Sequence, residues 1–379
     1  MKFVLFYHSL LSDWNHGNAH FLRGIVAELQ ARGHGVDVYE PEDAWSLAQL
    51  VAEHGSAPVE AWQRRFPELR SHRYRLDALD LDRVLDGADV VLVHEWNDPA
   101  LVAAVGRKAP AGCRTFFHDT HHRSVSAPQE MARYDLCHYD GVLAFGEAIR
   151  QRYLERGWCA QAWTWHEAAD VRVFRPLQPT PGHGGDLVWI GNWGDDERAA
   201  ELHEFLVEPA RALGLRATVH GVRYPPQALS MLAEAGIDYR GWLPNHCAPE
   251  VFARFRVTVH VPRRPYVRLL PGIPTIRVFE ALACGVPLVS AHWDDVEGLF
   301  TPGRDFLMVD DGAQMQRGLR SVLRDTERAS ELARNGLATI AARHTCAHRV
   351  DELFSILSSL DTDPPDRHIA SMPRSLSHA

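Results

Sequence analysis

The stretch "TIRVFEALACGVPLVS", residues 275–290, predicts a helix followed by a buried β-strand. Pro274 is typical of the first turn of a helix, where its missing N–H is not needed, and Gly285 is typical of the left-handed residue just past a helix end. Pro287 prevents the helix from continuing, so the apolar run 286–290 is interpreted as a strand of a parallel sheet covered on both faces.

The predicted helix carries a narrow polar stripe, formed by Thr275, Arg277, Glu280 and Cys284. Charged side chains are rarely buried unless they are paired or bound to something. Two explanations are open at this point. Arg277 and Glu280 pair with each other, since residues three apart are neighbours on a helix, or the stripe faces a polar ligand.

The composition is that of a globular protein with two domains. The chain has 379 residues, of which 46% are hydrophobic and 23% are charged. Its formal net charge of −9 argues against nucleic acid or an anionic membrane surface as the main partner. An anionic small ligand would therefore need a local basic pocket.

The cysteines and the apolar segments indicate a cytoplasmic protein. The six cysteines contain no C-x-x-C pair, which favours free thiols in a reducing compartment. The start "MKFVLFYHSLL" is interrupted by His8 and has no cleavage site after it, so we interpret it as a first strand and not as a signal peptide. No segment is apolar enough to span a membrane, while peripheral contact stays open.

Short apolar strands alternate with amphipathic helices along the whole chain, which predicts an α/β fold with parallel sheets and helices on both faces. Residues 171–185 contain several prolines and glycines without periodicity and are interpreted as a linker. The same rhythm of strands and helices begins again after it. The predicted units are a first domain at 1–170, a second domain at 186–345, a C-terminal helix at 346–360 that could return to the first domain, and a disordered tail at 361–379.

Polar residues end many of the predicted strands. Ligands of open parallel sheets bind beyond the carboxyl ends of the strands. We assign solvent contact to His220 and His292 and favour a functional role for Glu95, His118 and Asn192, because two facing sheets would bring such ends to one cleft. The full set comprises His8, Glu95, His118, His166, Asn192, His220, His260 and His292.

A metal site is not expected, although the chain contains 22 histidines. The densest cluster is "HDTHH" at 118–122, and it has neither an H-E-x-x-H motif nor the spacing of a zinc framework. In an extended segment His121 and His122 would point to opposite sides.

Two loops have the chemistry of a diphosphate site. There is no G-x-G-x-x-G and no P-loop. The loop "WIGNWGDDER" (189–198) offers Gly191, Asn192 and Arg198. The loop "HVPRRPYVRLLPGIPT" (260–275) offers Arg263 and Arg264 and then runs into the start of the helix, where Thr275, Ile276 and their neighbours can donate N–H groups to an anion. The alternative is a solvated basic loop.

These stretches resemble glycosyltransferases of the GT-B type. "VFEALACGVPLVS" resembles the E-A-x-A-x-G-x-P signature of the large retaining family, and "LQARGHGVDVYE" (29–40) resembles its N-terminal helix-to-strand passage. The passage "SDWNHGNAHFLRG", the "GNW" loop and the helix are together similar to the CgeB-like, spore maturation type branch. The resemblance extends to about Leu360.

The resemblance implies two Rossmann-like domains facing across a cleft, with a nucleoside-diphosphate sugar on the second and an unknown acceptor (glycan, lipid-linked or small molecule) on the first. The family's ribose-binding glutamate matches Glu280, with Arg277 nearer the diphosphate. The first glutamate of the family's pair would fall at Gly272, so the donor sugar and the choice between retention and inversion stay open.

For catalysis the resemblance places His118 near the reacting carbon, with Asp119 and Glu95 as candidate bases. The loop after the first strand would bind the acceptor, through Trp14, Asn18 and His20. No metal and no cofactor beyond the nucleotide sugar are expected. A nucleotide-sugar 2-epimerase and a non-catalytic binding protein of the same fold are the alternatives.

Overall fold

The structure, a computed structural model, describes residues 1–178 and 184–362, and most of its strands lie in two parallel sheets. The strands of the first domain are β1 (Lys2–Phe6), β2 (Gly35–Pro41), β3 (Ser71–Tyr74), β4 (Val90–His94), β5 (Arg114–Asp119), β6 (Gly141–Ala144) and β7 (Ala162–Thr164). They form one sheet in the order β3-β2-β1-β4-β5-β6-β7, and each pair of neighbours is parallel.

The helices of the first domain connect these strands and cover both faces of the sheet. They are α1 (Ala19–Ala31), α2 (Trp45–His54), α3 (Ala57–Arg65), α4 (Leu81–Leu85), α5 (Pro99–Lys108), α6 (Arg123–Ser126), α7 (Pro128–Met131) and α8 (Glu147–Glu155), with a 3-10 turn at Leu76–Ala78. Alternate residues of β1 belong to two different buried clusters, Phe3 and Leu5 to one, Val4 and Phe6 to the other. This alternation follows from the period of two in a strand and confirms the doubly wound prediction.

The second domain repeats the arrangement. Its strands are β8 (Gly185–Ile190), β9 (Ala217–His220), β10 (Asp238–Tyr239), β11 (Phe255–His260), β12 (Leu288–Ala291) and β13 (Leu307–Val309). They lie in the order β10-β9-β8-β11-β12-β13, again all parallel. Its helices are α9 (Ala199–Leu202), α10 (Glu208–Leu213), α11 (Pro226–Glu234), α12 (Ala248–Phe252), α13 (Arg264–Leu269), α14 (Ile276–Ala283), α15 (Gly312–Arg324) and α16 (Thr326–Arg343), with 3-10 turns at Asp195–Glu197 and Asn245–Cys247 and a π-helical segment at His203–Val207.

The stretch 275–290 forms α14 and β12, with one difference from the prediction. Gly285 has a φ of +65°, the left-handed conformation expected just after the helix. Pro274 does not lie in the first turn, because Thr275 is the N-cap and the helix begins at Ile276. β12 pairs with β11 and β13 inside the sheet, and its four residues are buried.

A last helix, α17 (Cys346–Thr362), packs against α1 of the first domain. Trp165 donates from its Nε1 to the carbonyl of Arg349 at 2.7 Å, and Arg32 pairs with Asp351 at 2.6 Å. The chain therefore crosses between the domains twice. Residues 179–183 of the linker prediction and 363–379 of the tail prediction lie outside the described residues, whereas Gly185, assigned to the linker, begins β8.

Candidate active site

A cavity of about 1350 Å³ separates the carboxyl ends of the two sheets. Every strand of the first sheet is followed, directly or within a few residues, by a residue that lines it. In strand order from β1 to β7 these include His8, Glu42, Arg75, Trp96, His121, Phe145 and Glu167. On the opposite side the lining comes from the loops after β8, β9 and β11 and from the start of α14. This is the edge where parallel sheets bind ligands.

Three arginines of the second domain, Arg198, Arg263 and Arg277, form an arginine cluster on this cavity. Arg198 donates to the backbone carbonyls of Asn192 at 2.5 Å and Val261 at 3.1 Å, and its guanidinium lies 5.1 Å from the centre of the Trp189 ring. Among the residues that the structure describes, no carboxylate lies within 4.0 Å of it. Burial, together with the charges of Arg263 and Arg277, lowers the pKa of Arg198 to about 9.

The other two arginines of the cluster are paired. Arg263 contacts Glu197 Oε2 at 2.7 Å, and the same oxygen lies 3.3 Å from Nε2 of His122 in the first domain. Burial raises the pKa of Glu197, but the hydrogen bond from His122 and the charge of Arg263 outweigh it and lower the pKa to about 2. Glu197 is therefore ionised and links the two domains at the cavity.

The start of α14 is strained where it meets the cavity. Thr275 has φ 58° and ψ 161°, a conformation that β-branched residues rarely adopt. Its hydroxyl lies 3.2 Å from His260 Nε2, and the other ring nitrogen of His260 contacts Ser290 at 2.9 Å. Thr275, Ile276 and Arg277 line the cavity, and the first N–H groups of a helix have no partner within it. A strained helix start beside arginines fits a bound anion.

The loop after β8 is held close to the first domain. A side chain at Gly221 would place its Cβ 2.1 Å from the carbonyl oxygen of Gly191, so only glycine fits where these two loops touch. Asn192 donates to Asn15 Oδ1 of the first domain at 2.9 Å and accepts from the backbone of Val222 at 3.0 Å. Asn192 therefore positions the loop that carries Arg198.

The first domain contributes a wall of histidines, made of His8, His16, His121 and His122. His8 and His16 are 3.3 Å apart at their ring nitrogens, and the rings of His121 and His122 lie 4.0 Å apart. The expectation that His121 and His122 point to opposite sides is wrong, because they follow β5 in a turn and are not part of the strand. Burial lowers the pKa values of His8, His16 and His121, so these rings are neutral near pH 7.

The predicted catalytic residues lie behind this wall. His118 is fully buried inside β5, with its ring 4.9 Å from that of Trp165, and does not line the cavity. Asp119 accepts from Tyr153 at 2.9 Å and from the N–H of His121 at 2.9 Å. Glu95 pairs with Arg123 at 3.2 Å. None of these three side chains lines the cleft, contrary to the prediction, because Phe21 and Trp165 pack against the His118 ring and the two carboxyl groups are engaged by Tyr153 and Arg123.

Four further predicted residues also lie outside the cavity lining. Trp14 is buried against Leu50 and Val222, and Arg264 pairs with Glu201 at 3.2 Å. Glu280 is fully buried, with Oε2 bonded to Arg277 and Oε1 2.7 Å from His20 Nδ1. The predicted residues that do line the cavity are Asn18, Gly191, Asn192, Arg198, Arg263, Thr275, Ile276 and Arg277.

Of the two explanations of the polar stripe on α14, the internal pairing is observed, and the contact with a ligand stays a prediction. Arg277 and Glu280 do pair with each other, and Arg277 also reaches the cavity. Gly272 has a φ of +93°, and a Cβ there would lie 2.5 Å from Glu297 Oε1, so the Glu297 side chain occupies the space beside it.

The sequence interpretation missed Trp45, Trp96, His121, Glu167 and Glu197, all of which line the cavity. Trp45 and Trp96 are 48% and 41% exposed, which is unusual for such large aromatic side chains. Each lies within a few residues of the end of a strand, and this position in the sequence could have predicted that both line the cavity. Within residues 1–178 and 184–362, no group of three or more histidine, cysteine, aspartate or glutamate side chains is arranged to hold a metal ion.

Comparison with solved structures identifies the fold as that of the GT-B glycosyltransferases. A sucrose-phosphate synthase from Thermosynechococcus elongatus aligns with a TM-score of 0.66 at 14% identity, covering 95% of this chain and 99% of that one. HepE from Anabaena, in complex with UDP and glucose, aligns with a TM-score of 0.62 at 14% identity, covering 95% and 100%. At this level of identity the likeness establishes the fold.

Residues 198–355 also match a family model described as glycosyl transferase-like. This region contains α14 and the whole arginine cluster. No curated protein matches the chain in sequence. None of the described helices is long and apolar enough to cross a bilayer.

Proposed function

We propose that the protein is a glycosyltransferase that transfers a sugar from a nucleoside-diphosphate sugar to an acceptor hydroxyl group. The observation that carries this proposal is Arg198, a half-buried guanidinium on the cavity whose hydrogen bonds go to backbone carbonyls and not, among the described residues, to a carboxylate. Burying a charge without a counter-ion is unfavourable, and an anionic ligand between Arg198, Arg263 and Arg277 would remove that cost.

A diphosphate is the anion that this geometry fits best. It carries charge along two phosphates, which the arginine cluster and the first N–H groups of α14 can contact together. Structural neighbours solved in complex with UDP or UDP-glucose support uridine as the base. In this proposal the leaving group is UDP, and the arginines stabilise the negative charge that develops on it, so no metal is required.

The acceptor would bind on the side of the first domain. Trp45, Trp96 and the histidine wall line that side, and the partly apolar ring faces of the two exposed tryptophans complement an uncharged acceptor. We also propose that the anomeric configuration is retained and that the protein belongs to the CgeB-like branch. Support for retention comes from the resemblance of α14 and β12 to the signature of the large retaining family.

The test is a thermal-shift panel of nucleoside diphosphates and their sugars, followed by an assay for released nucleotide. A ligand that binds the folded state raises Tm. We expect UDP and a UDP-sugar to raise it, and we expect slow release of UDP from the sugar without acceptor. Conversion of the UDP-sugar to an isomer would instead identify a 2-epimerase. A shift without turnover in the presence of any acceptor class would identify a binding protein.

A further inference from the structure

Glu167, which follows β7, is a buried carboxyl group without a partner. It is 4% exposed and it lines the cavity. Among the described residues, its carboxyl oxygens take part in no hydrogen bond and no ion pair, although the buried Glu95 and Glu280 and the cavity-lining Glu197 are all paired. Buried carboxyl groups almost always have partners, so this one points to a ligand.

The backbone around Glu167 is fixed on both sides. Trp165 donates from its backbone N–H to the carbonyl of Ala144 at 2.6 Å and from its indole to the carbonyl of Arg349 at 2.7 Å. His166 lies 2.9 Å from Glu297 Oε2 of the second domain. The carbonyl oxygen of Glu167 itself accepts from Arg349 Nε at 3.4 Å. The carboxyl group is therefore presented at a defined place and is not a loose surface side chain.

The charged and titratable groups around Glu167 come from three helices. Glu280 and Arg277 stand on α14, Tyr266 stands on α13, and Arg349 stands on α17. Burial and the negative charge of Glu280 raise the pKa of Glu167 to about 8, while Arg277 acts in the opposite direction. The group is therefore mainly a neutral carboxylic acid at pH 7, with one O–H to donate and oxygens that accept.

Resting on the proposed function, we propose that the Glu167 carboxyl group binds a hydroxyl group of the transferred sugar. The arginine cluster beside it would hold the diphosphate, and the sugar is the next group of the donor. A neutral carboxyl group does not repel the phosphates, and it can both donate to a hydroxyl group and accept from it. A site of this kind discriminates strongly between a ligand with the hydroxyl group and one without it.

Calorimetry with UDP, UDP-glucose, UDP-galactose and UDP-N-acetylglucosamine tests the proposal on the full chain. We expect the wild type to bind at least one of these sugars more tightly than UDP. In Glu167→Leu that UDP-sugar should bind at least tenfold more weakly, while the affinity for UDP at pH 7 changes by less than twofold. Glu155→Leu, at an exposed glutamate at the end of α8, is the matched control and should change neither affinity.

A structural role for Glu167 would change Tm without changing the ratio of the two affinities. Glu167→Gln, which keeps hydrogen-bonding atoms, should recover part of the sugar affinity. The proposal is overturned if Glu167→Leu binds the UDP-sugar as the wild type does, or if the wild type binds no UDP-sugar more tightly than UDP. If UDP itself does not bind to the wild type, it is the proposed function that fails.

Discussion

Glu280 Oε1 lies 2.7 Å from His20 Nδ1, so that a carboxylate of the second domain is paired with a histidine of the first. The other oxygen of Glu280 is bonded to Arg277, which lines the cavity. One buried carboxylate thus connects the domain interface to the arginine cluster. Burial raises its pKa, but the charges of Arg277 and His20 outweigh burial, and the pKa of Glu280 is lowered overall.

Glu280→Ala should therefore reduce both stability and nucleotide affinity. Removing one partner of a buried ion pair costs ~3–5 kcal/mol because the other charge is left unpaired. We expect chemical denaturation to show a loss of this size, and calorimetry to show weaker UDP binding because Arg277 loses its support. An unchanged UDP affinity in the folded variant would mean that Glu280 stabilises the domain interface and does not support nucleotide binding.

Arg198→Met should affect binding and stability differently. A charge-assisted hydrogen bond contributes ~1.5–3 kcal/mol, so UDP should bind about ten- to a hundredfold more weakly. The unfolding free energy should fall by less than the binding free energy. Among the described residues, no carboxylate lies within 4.0 Å of Arg198, so the substitution leaves no buried carboxylate without a partner. Arg240→Met, at an exposed ion pair with Asp238, is the control for both measurements. Equal UDP affinities for the two variants would remove Arg198 from the diphosphate site.

Substitutions of His121 and His118 should affect different properties, kcat for His121 and stability for His118. His121→Ala should reduce kcat by about 10² because a positioned group at the reaction site is lost, while UDP affinity stays within twofold. His118→Ala should lower the unfolding free energy by ~2 kcal/mol, since it empties a buried position against Trp165, and should change kcat less than His121→Ala does. A larger loss of kcat in His118→Ala would return His118 to the catalytic role that the sequence predicted.

The contribution of Glu167 to the stability of the protein should fall as pH rises from about 5 to 8. The ordinary pKa of a glutamate is 4.5, whereas that of Glu167 in the folded protein is raised to about 8 by burial and by Glu280. Between these values the folded state keeps a proton that the unfolded state has released, so this contribution decreases with a slope of up to ~1.4 kcal/mol per pH unit, whereas buried histidines with lowered pKa values, such as His16 and His121, contribute a slope of the opposite sign below pH 6.5. Asp119, with a pKa raised to about 6 by burial, adds a slope of the same sign as that of Glu167 at the acidic end.

Glu167→Leu isolates the contribution of Glu167 from that of Asp119. Denaturation curves at several pH values should show that the unfolding free energy of the wild type falls relative to that of the variant, steadily up to about pH 8. Parallel curves for the two proteins over this range would mean that Glu167 is ionised in the folded state at neutral pH.

Periodicity predicted most of the fold. The predicted strands of both domains correspond to strands of the structure, because their apolar runs are buried on both faces of a parallel sheet. β3 and β10 were missed. Both are edge strands with polar sequences, "SHRY" and "DY", and their strand conformation comes from pairing with β2 and β9. Such pairing is a tertiary effect that a local pattern does not contain.

The residues that line the cavity were predicted more accurately for the second domain than for the first. Arg198, Arg263 and Arg277 were found because basic residues beside a glycine turn and a helix start have an evident use. His118 was misplaced because a polar residue at the end of an apolar run can face either the cleft or the interior. Here β5 continues through Asp119, and Phe21 and Trp165 cover His118. The side chains that cover the end of a strand come from segments that are distant in sequence, so a local pattern does not show which face of the strand end is buried.

Calorimetric titration of the wild-type protein with UDP in the presence of EDTA tests the central claim most directly. The account predicts saturable binding at one site per chain that is unchanged when magnesium replaces the chelator, since the arginine cluster and the start of α14 neutralise the diphosphate. The absence of UDP binding under both conditions, or binding that appears only with the metal, would contradict it.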